Sequence, residues 1–279
     1  MNAASELKSF ETDDGRLVHR DTGKGPLLVL LHGGFLDHGM WDDQVPELAR
    51  DHRVIVPDAR GHGGSSNASR PFRHTDDLAA LLRRLDAGPA VLVGVSMGGA
   101  TAVDTALEHP GLVRALVVSG AGTSEPEFHD SWSCRVLAEQ ARALAAGDVA
   151  GWIDAFMLFA AGPHRTLDDV DGAVVRRLRA MAERTLAKHT ADEPDLLVPV
   201  PDTWARAAKI GVPVLTVTGG IDSDDHLAMA RRLARTVADG REASVEGAAH
   251  YPNMERPDAF GEILGNFLTD VFARGDGAV

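Results

Sequence analysis

The stretch Ala90-Val91-Leu92-Val93-Gly94-Val95-Ser96-Met97-Gly98-Gly99-Ala100 passes from an apolar run into a run of small residues through one serine. The apolar part has the length of a buried strand. Residues 97–108 are small and apolar and read as a helix. It stops at His109-Pro110, because the residue before a proline avoids helical backbone. At the junction, Gly94-Val95-Ser96-Met97-Gly98 fits G-x-S-x-G, a pattern that sets a serine on a sharp strand-to-helix turn. Glycines at 94, 98 and 99 remove side chains that would collide where the chain passes close to its neighbours. The turn holds the Ser96 hydroxyl outward at the C-terminal edge of the sheet, near a helix N-terminus that favours developing negative charge. A glycine-rich turn that only packs helix on strand could carry the same five residues. The strand before it and the helix after it point instead to a nucleophile.

Working outward, similar apolar runs recur, each closed by turn residues. They lie at 27–31 before His32-Gly33-Gly34, at 53–56 before Pro57-Asp58, at 114–118 before Ser119-Gly120, and at 212–217 before Thr218-Gly219-Gly220. A weaker run at 243–246 precedes Gly247. Continuous runs of this kind belong to parallel strands buried on both faces. Helical patterns lie between them at 75–85, with Thr75 as expected N-cap, at 225–238, and at 257–272, where Pro257 suits a first helical position. Residues 9–12 and 17–21 flank Asp14-Gly15, a hairpin signal. The expectation is an α/β protein: a mostly parallel eight-stranded sheet flanked by helices and opened by an antiparallel hairpin. Residues 125–200 break the alternation and read as helices at 132–146, 149–161 and 168–188. The chain thus divides into a core, 1–124 with 201–279, and a helical insertion, 125–200. That insertion is either a lid over the strand ends or an ordinary packing layer. Residues 274–279 read as a frayed tail.

A serine nucleophile needs a base, and the base needs a carboxylate to fix its tautomer. Of 12 histidines, His250 stands out, because Gly247-Ala248-Ala249-His250 follows the last strand and precedes the last helix. His226, close to the expected acid, is its nearest competitor. Asp222 follows the 212–217 strand and completes the chain order Ser, Asp, His. Asp224 and Asp225 read more simply as the N-cap and first turn of the next helix. Acyl transfer builds charge on a carbonyl oxygen, which preorganised backbone amides stabilise. Met97, next to the nucleophile, supplies one amide. The loop His32-Gly33-Gly34-Phe35 supplies the other, with Gly34 favoured and Phe35 the alternative, and His32 reads as a structural brace. Phe35, Met97, Trp132, Trp152, Phe156, Met157 and Phe159 are expected to bind substrate, although the aromatic residues of the insertion are equally well placed to form its own core.

Composition bounds the partners. The chain of 279 residues carries 28 basic and 41 acidic side chains, for a formal charge of −13. That balance repels phosphate backbones and anionic lipid, so neither nucleic acid nor membrane is an expected partner. No apolar run has the length of a membrane span, and residues 1–10 lack the pattern of a secretory leader. The single cysteine, Cys134, excludes an intrachain disulfide and suits a cytoplasmic protein. There is no H-E-x-x-H and no cysteine pair, so no metal or other cofactor is expected.

With these residues assembled, the chain resembles the α/β-hydrolase superfamily over nearly its whole length. Asp58-Ala59-Arg60-Gly61-His62-Gly63-Gly64-Ser65 is similar to the superfamily's D-x-R-G-H-G-x-S segment, and 247–257 to its catalytic-histidine loop. Among its members the chain is similar to small bacterial carboxylesterases and 3-oxoadipate enol-lactonase-like enzymes. The resemblance implies a serine hydrolase acting on a small ester or lactone. It leaves room for carbon–carbon bond hydrolysis or perhydrolysis with the same triad, and for a ligand receptor with slow turnover. It speaks against epoxide hydrolases and haloalkane dehalogenases, which use aspartate where this chain has Ser96.

Overall fold

A computed structural model describes residues 7–190 and 192–275. The leader reading of the first residues lies largely outside that range, as does the tail from 276 onward. The strands are β1 (Leu7–Thr12), β2 (Gly15–Thr22), β3 (Leu27–Leu31), β4 (Arg53–Pro57), β5 (Ala90–Val95), β6 (Val113–Ser119), β7 (Val214–Gly219) and β8 (Gly240–Val245). They form one eight-stranded sheet in the order β1-β2-β4-β3-β5-β6-β7-β8. The expected hairpin is present: β1 pairs antiparallel with β2, and β2 antiparallel with β4. Every later pairing is parallel.

The helices are α1 (Val45–Leu48), α2 (His74–Leu85), α3 (Met97–Glu108), α4 (Ser131–Ala145), α5 (Val149–Ala161), α6 (Gly172–Leu186), α7 (Thr203–Arg206), α8 (Asp224–Thr236), α9 (Pro252–Glu255) and α10 (Pro257–Gly275). Residues 274 and 275, read as the start of a frayed tail, still belong to α10.

β3 and β5 are buried at every position. Strand alternation then divides one apolar sequence between two cores. Leu28, Leu30, Val91, Val93 and Val95 face the core that contains α10 and the α4–α6 layer. Leu27, Val29, Leu31 and Leu92 face the other, under α2 and α3. Each fully buried side chain of this size contributes roughly 1.5–3 kcal/mol of transfer free energy. A parallel sheet covered on both faces leaves its C-terminal strand ends free to carry chemistry.

Two expected caps differ. Arg73 in extended backbone, not Thr75, precedes α2, and Thr75 is buried inside the first turn. Ser223 caps α8, its hydroxyl accepting from the His226 amide. The Asp225 carboxylate serves a tertiary purpose, accepting the His129 and Asp130 amides at 2.9 Å each.

Residues 125–200 contain no strand among those described, only an isolated bridge from Phe72 to Leu197. Carboxylates of Asp130, Asp148 and Asp171 cap α4, α5 and α6 by accepting free amides of the first turn, each worth about 1 kcal/mol. The layer is tied to the sheet domain by Arg184 on Asp37 at 2.7 Å and by Lys188 on the Gly63 carbonyl at 2.9 Å.

Candidate active site

Ser96 occupies the single residue between β5 and α3, with φ 54° and ψ −118°. A non-glycine residue in this region carries strain of about 1–3 kcal/mol, held only because its surroundings over-determine it. Its amide donates to the Ser119 carbonyl at 2.7 Å. A Cβ on Gly98 would lie 2.3 Å from the Leu31 carbonyl oxygen, so α3 reaches this close to β3 only with glycine there. The Ser96 side chain is half-buried and opens into a cavity of about 300 Å³.

The turn after β7 is stitched to the turn after β8. Gly220 donates to the Val245 carbonyl at 2.9 Å and Ile221 to the Ala248 carbonyl at 3.1 Å. This pairing brings Asp222 to His250, whose Nδ1 donates to Asp222 Oδ2 at 3.0 Å. Glu255 holds the same loop, accepting the Ala249 amide at 2.8 Å and pairing with Arg165 of the insertion. The His250 ring lies against Gly120: a Cβ there would stand 2.7 Å from His250 Cε1. Gly120 follows the residue that anchors the Ser96 amide, so serine and imidazole converge on the end of β6. Ser96 Oγ makes no hydrogen bond to His250 in this structure. Catalytic contacts of unliganded enzymes commonly tighten only with substrate.

The competitor histidine is also in place. His226 Nδ1 lies 3.1 Å from Asp222 Oδ1 and 2.9 Å from Ser223 Oγ. Its ring lies 4.2 Å, centroid to centroid, from that of His250. Asp222 therefore serves two imidazoles, one on each oxygen. Sequence order alone missed this; the signal was a histidine four residues after the acid, one turn into a helix that the acid precedes. The ligand atoms of Asp222, His226 and His250 all lie within 4.8 Å of one another, near enough to hold a metal ion. Their short contacts have hydrogen-bond lengths and consume both Nδ1 atoms.

Burial would raise the Asp222 carboxyl, but the two histidines beside it hold it well below the usual carboxylate range. Burial, reinforced by His226, pushes the His250 imidazole below its ordinary value of 6.5, against the pull of Asp222. An ionised acid beside a neutral imidazole is the arrangement a general base requires.

Of the two loop amides considered for an oxyanion, that of Phe35 is engaged, donating to His62 Nε2 at 3.1 Å. Those of Gly34 and Met97 have no acceptor among the described residues. They are neighbours, since a Cβ on Gly34 would sit 3.7 Å from Met97 Cβ. His32 braces the loop as expected, its Nδ1 donating to the Gly33 carbonyl at 2.8 Å and its Nε2 accepting the Ala59 amide at 2.9 Å. Burial lowers the pKa values of His32 and His62, which keeps both neutral and able to accept those amides.

The expected substrate-binding residues separate. Met97 lines the Ser96 cavity. Phe35 lines a neighbouring cavity with Gly34 and Met97. Trp132, Trp152, Phe156, Met157 and Phe159 line neither. Trp152 stacks on Phe156 and packs on Phe35, while Phe159 covers His226 and His250. They pack into the core of the insertion, and the wall of the Ser96 cavity comes from residues 73–75, one face of α3, the loop 120–124, Pro126 and Phe128, residues 197–200, and His226 and Met229 of α8.

The contact between His250 and Gly120 gives a sharp expectation. Gly120 has φ 59°, so Gly120→Ala adds both strain and a methyl group against the imidazole. Displacement of a catalytic group by about 1 Å can cost on the order of 100-fold. If His250 is the base, Gly120→Ala should lower kcat by that order, with far-ultraviolet circular dichroism unchanged.

Comparison with known proteins bears on this geometry. A family model described as "Alpha/beta hydrolase family" matches residues 28–263. The chain is 32% identical over 254 residues to the pimeloyl-[acyl-carrier protein] methyl ester esterase of Aeromonas hydrophila, covering 88% of this chain and 96% of that one. It is 25% identical to 3-oxoadipate enol-lactonase 1 of Acinetobacter baylyi, covering 88% and 90%. Among solved structures, a hydrolase from Pseudomonas aeruginosa superposes with a TM-score of 0.72 at 28% identity, covering 95% of this chain and 99% of that one.

Proposed function

This chain belongs to the alpha/beta hydrolase family, and from that premise we propose that it is a cofactor-free serine hydrolase cleaving a small, mostly apolar carboxylic ester or lactone. Ser96 attacks the carbonyl carbon while His250 Nε2 takes its proton. Asp222 fixes the tautomer by accepting the Nδ1 hydrogen and stabilises the imidazolium that forms. The Gly34 and Met97 amides receive the developing oxyanion, aided by the N-terminus of α3. The leaving alcohol departs with the proton from His250. Water, activated by the same imidazole, then hydrolyses the acyl-enzyme. The α4–α6 layer acts as the cap that closes the site from above.

The single observation that supports this most is that Ser96, on its strained turn, is anchored to Ser119 next to the Gly120 on which the His250 ring of the Asp222–His250 pair lies, while the Gly34 and Met97 amides have no acceptor among the described residues. Relatives with ester- and lactone-cleaving names support the same reaction class. Turnover of p-nitrophenyl acetate and butyrate tests it. Measurable saturable hydrolysis is expected, and a rate equal to the buffer background in both would contradict it.

His250, not His226, is assigned as the base, because it is the imidazole that lies on Gly120 beside the anchor of Ser96. His250→Asn should lower kcat by about 10⁴-fold, and His226→Asn by less than about 100-fold. The reverse ranking would exchange their roles. The pH profile adds a second readout. The base works only when neutral, and burial lowers its pKa. Activity should therefore rise with pH through an inflection below 6.5 and be level across neutrality. The neighbouring His226 also lowers the His250 pKa, so His226→Asn should move that inflection upward.

A further inference from the structure

The cavity that Ser96 opens into has an acid at its far end. Met97, Ala100, Thr101 and Asp104 line it along one face of α3, the i, i+3, i+4, i+7 spacing of a single helical stripe. Met97 and Asp104 are seven positions apart, a span of about 10 Å at the helical rise. Asp104 is only 4% exposed. Its Oδ1 has no hydrogen-bond partner, and neither does the hydroxyl of Ser124, which borders the same cavity. Thr75 Oγ1, on the α2 side, is a third unpartnered polar atom in that wall.

The neighbouring charges are all spoken for. Glu108 pairs with Arg73 and Arg206. Arg73 also holds Asp76. Glu125 accepts from the Thr203 hydroxyl at 2.7 Å and from the Asp202 and Trp204 amides. No cation reaches Asp104 among the described residues, and burial, reinforced by Glu125 and Glu108 and opposed by Ser124, pushes its carboxyl up to about 6. A buried carboxylate with one oxygen unpaired and only Ser124 beside it as a donor is costly, and Ala100 and Thr101 on the same helix face show no packing need for an acid.

We propose that Asp104 and Ser124 form a recognition subsite for a hydrogen-bond donor, a hydroxyl or an ammonium, carried by the substrate about 10 Å from its scissile carbonyl. The inference rests on the hydrolase reading of Ser96 and names the substrate class: esters whose acyl chain is apolar near the carbonyl and ends in a donor. The apolar stretch of such a chain would lie on Met97, Ala100 and Met229. A chain ending in a carboxylate would meet Asp104 as a like charge and be disfavoured.

The test compares p-nitrophenyl esters of octanoate, ω-hydroxyoctanoate, ω-aminooctanoate and the half-ester of suberate. Wild-type kcat/KM should favour the hydroxyl and ammonium chains over plain octanoate by about tenfold, the worth of a hydrogen bond to a charged group. The suberate half-ester should be the poorest. Taking the ratio within each protein cancels any general loss. Asp104→Leu should reverse the preference toward plain octanoate. Asp104→Asn keeps the shape and one acceptor, so it should retain the hydroxyl preference and lose the ammonium one. Ratios equal to wild type in both variants, or a preference for suberate, would overturn the subsite. Failure to hydrolyse both p-nitrophenyl acetate and p-nitrophenyl butyrate would overturn the hydrolase reading instead. In that case the thermal shift given by 8-aminooctan-1-ol, expected in wild type and lost in Asp104→Leu, decides the subsite alone, and an equal shift in both proteins would overturn it.

Discussion

Ser96→Ala is expected to lower kcat/KM for p-nitrophenyl butyrate by on the order of 10⁵-fold, leaving only the background that oxyanion binding and substrate positioning supply. The size follows from the mechanism: without the hydroxyl no acyl-enzyme forms, and the remaining groups can act only on adventitious water. The fold should survive. Alanine retains the Cβ that already sits at φ 54°, the amide keeps its bond to the Ser119 carbonyl, and no buried side-chain partner is orphaned. A melting temperature near that of wild type, together with lost turnover, separates catalysis from stability. Ser96→Gly extends the logic. It removes the hydroxyl and relieves the strained conformation, so it should be equally inactive yet more stable, by about 1 kcal/mol.

Asp222→Asn carries the second large effect, with a loss in kcat of about 10⁴-fold at neutral pH. In an ordinary triad the amide would offer one oxygen to one imidazole. Here the acid has three dependants, since Oδ1 faces His226 and accepts the Ser223 amide while Oδ2 faces His250. An asparagine has one acceptor, so one of the two Nδ1 atoms must face an NH₂ group. Either His250 takes the wrong tautomer, or the NH₂ group faces the Ser223 amide and leaves that buried donor unpaired, with His226 held by Ser223 Oγ alone. A buried donor left unpaired costs roughly 1–3 kcal/mol, so this variant should melt below Ser96→Ala even though both are inactive. Asp222→Asn combined with His226→Leu removes the competing ring and should recover part of the lost stability. Equal melting temperatures for Asp222→Asn and Ser96→Ala would show that the shared carboxylate has no structural role.

Local rules made much of the architecture legible in advance. Strands buried on both faces read as unbroken apolar runs, which is why β3 and β5 stand out in the sequence. β8 is exposed at alternate positions on the sheet edge, and its pattern was accordingly faint. Gly94 and Gly98 announced the turn at Ser96 because backbone approaches backbone there, a constraint written in residue identity. What the sequence did not disclose was set by distant contacts. Arg73 rather than Thr75 begins α2, because Thr75 is turned inward. The aromatic residues of α5 have the pattern of any buried helix face, and nothing local distinguishes a wall around substrate from a core that excludes it. His226 was visible as a histidine near an acid. Its share of Asp222 depends on how the turn after β7 meets the turn after β8. The free Gly34 amide, as against the engaged Phe35 amide, was decided by His62, which lies on another loop.

Ser96 is expected to carry a covalent acyl group during turnover. Intact-protein mass spectrometry of enzyme quenched in acid during turnover of a p-nitrophenyl ester, followed by peptide mapping, tests it most directly. The expected result is one added acyl mass, on the peptide that contains Ser96, absent from Ser96→Ala and accumulating in Gly120→Ala if deacylation is the step most impaired. Turnover that proceeds with no adduct on Ser96, and persists in Ser96→Ala, would contradict it.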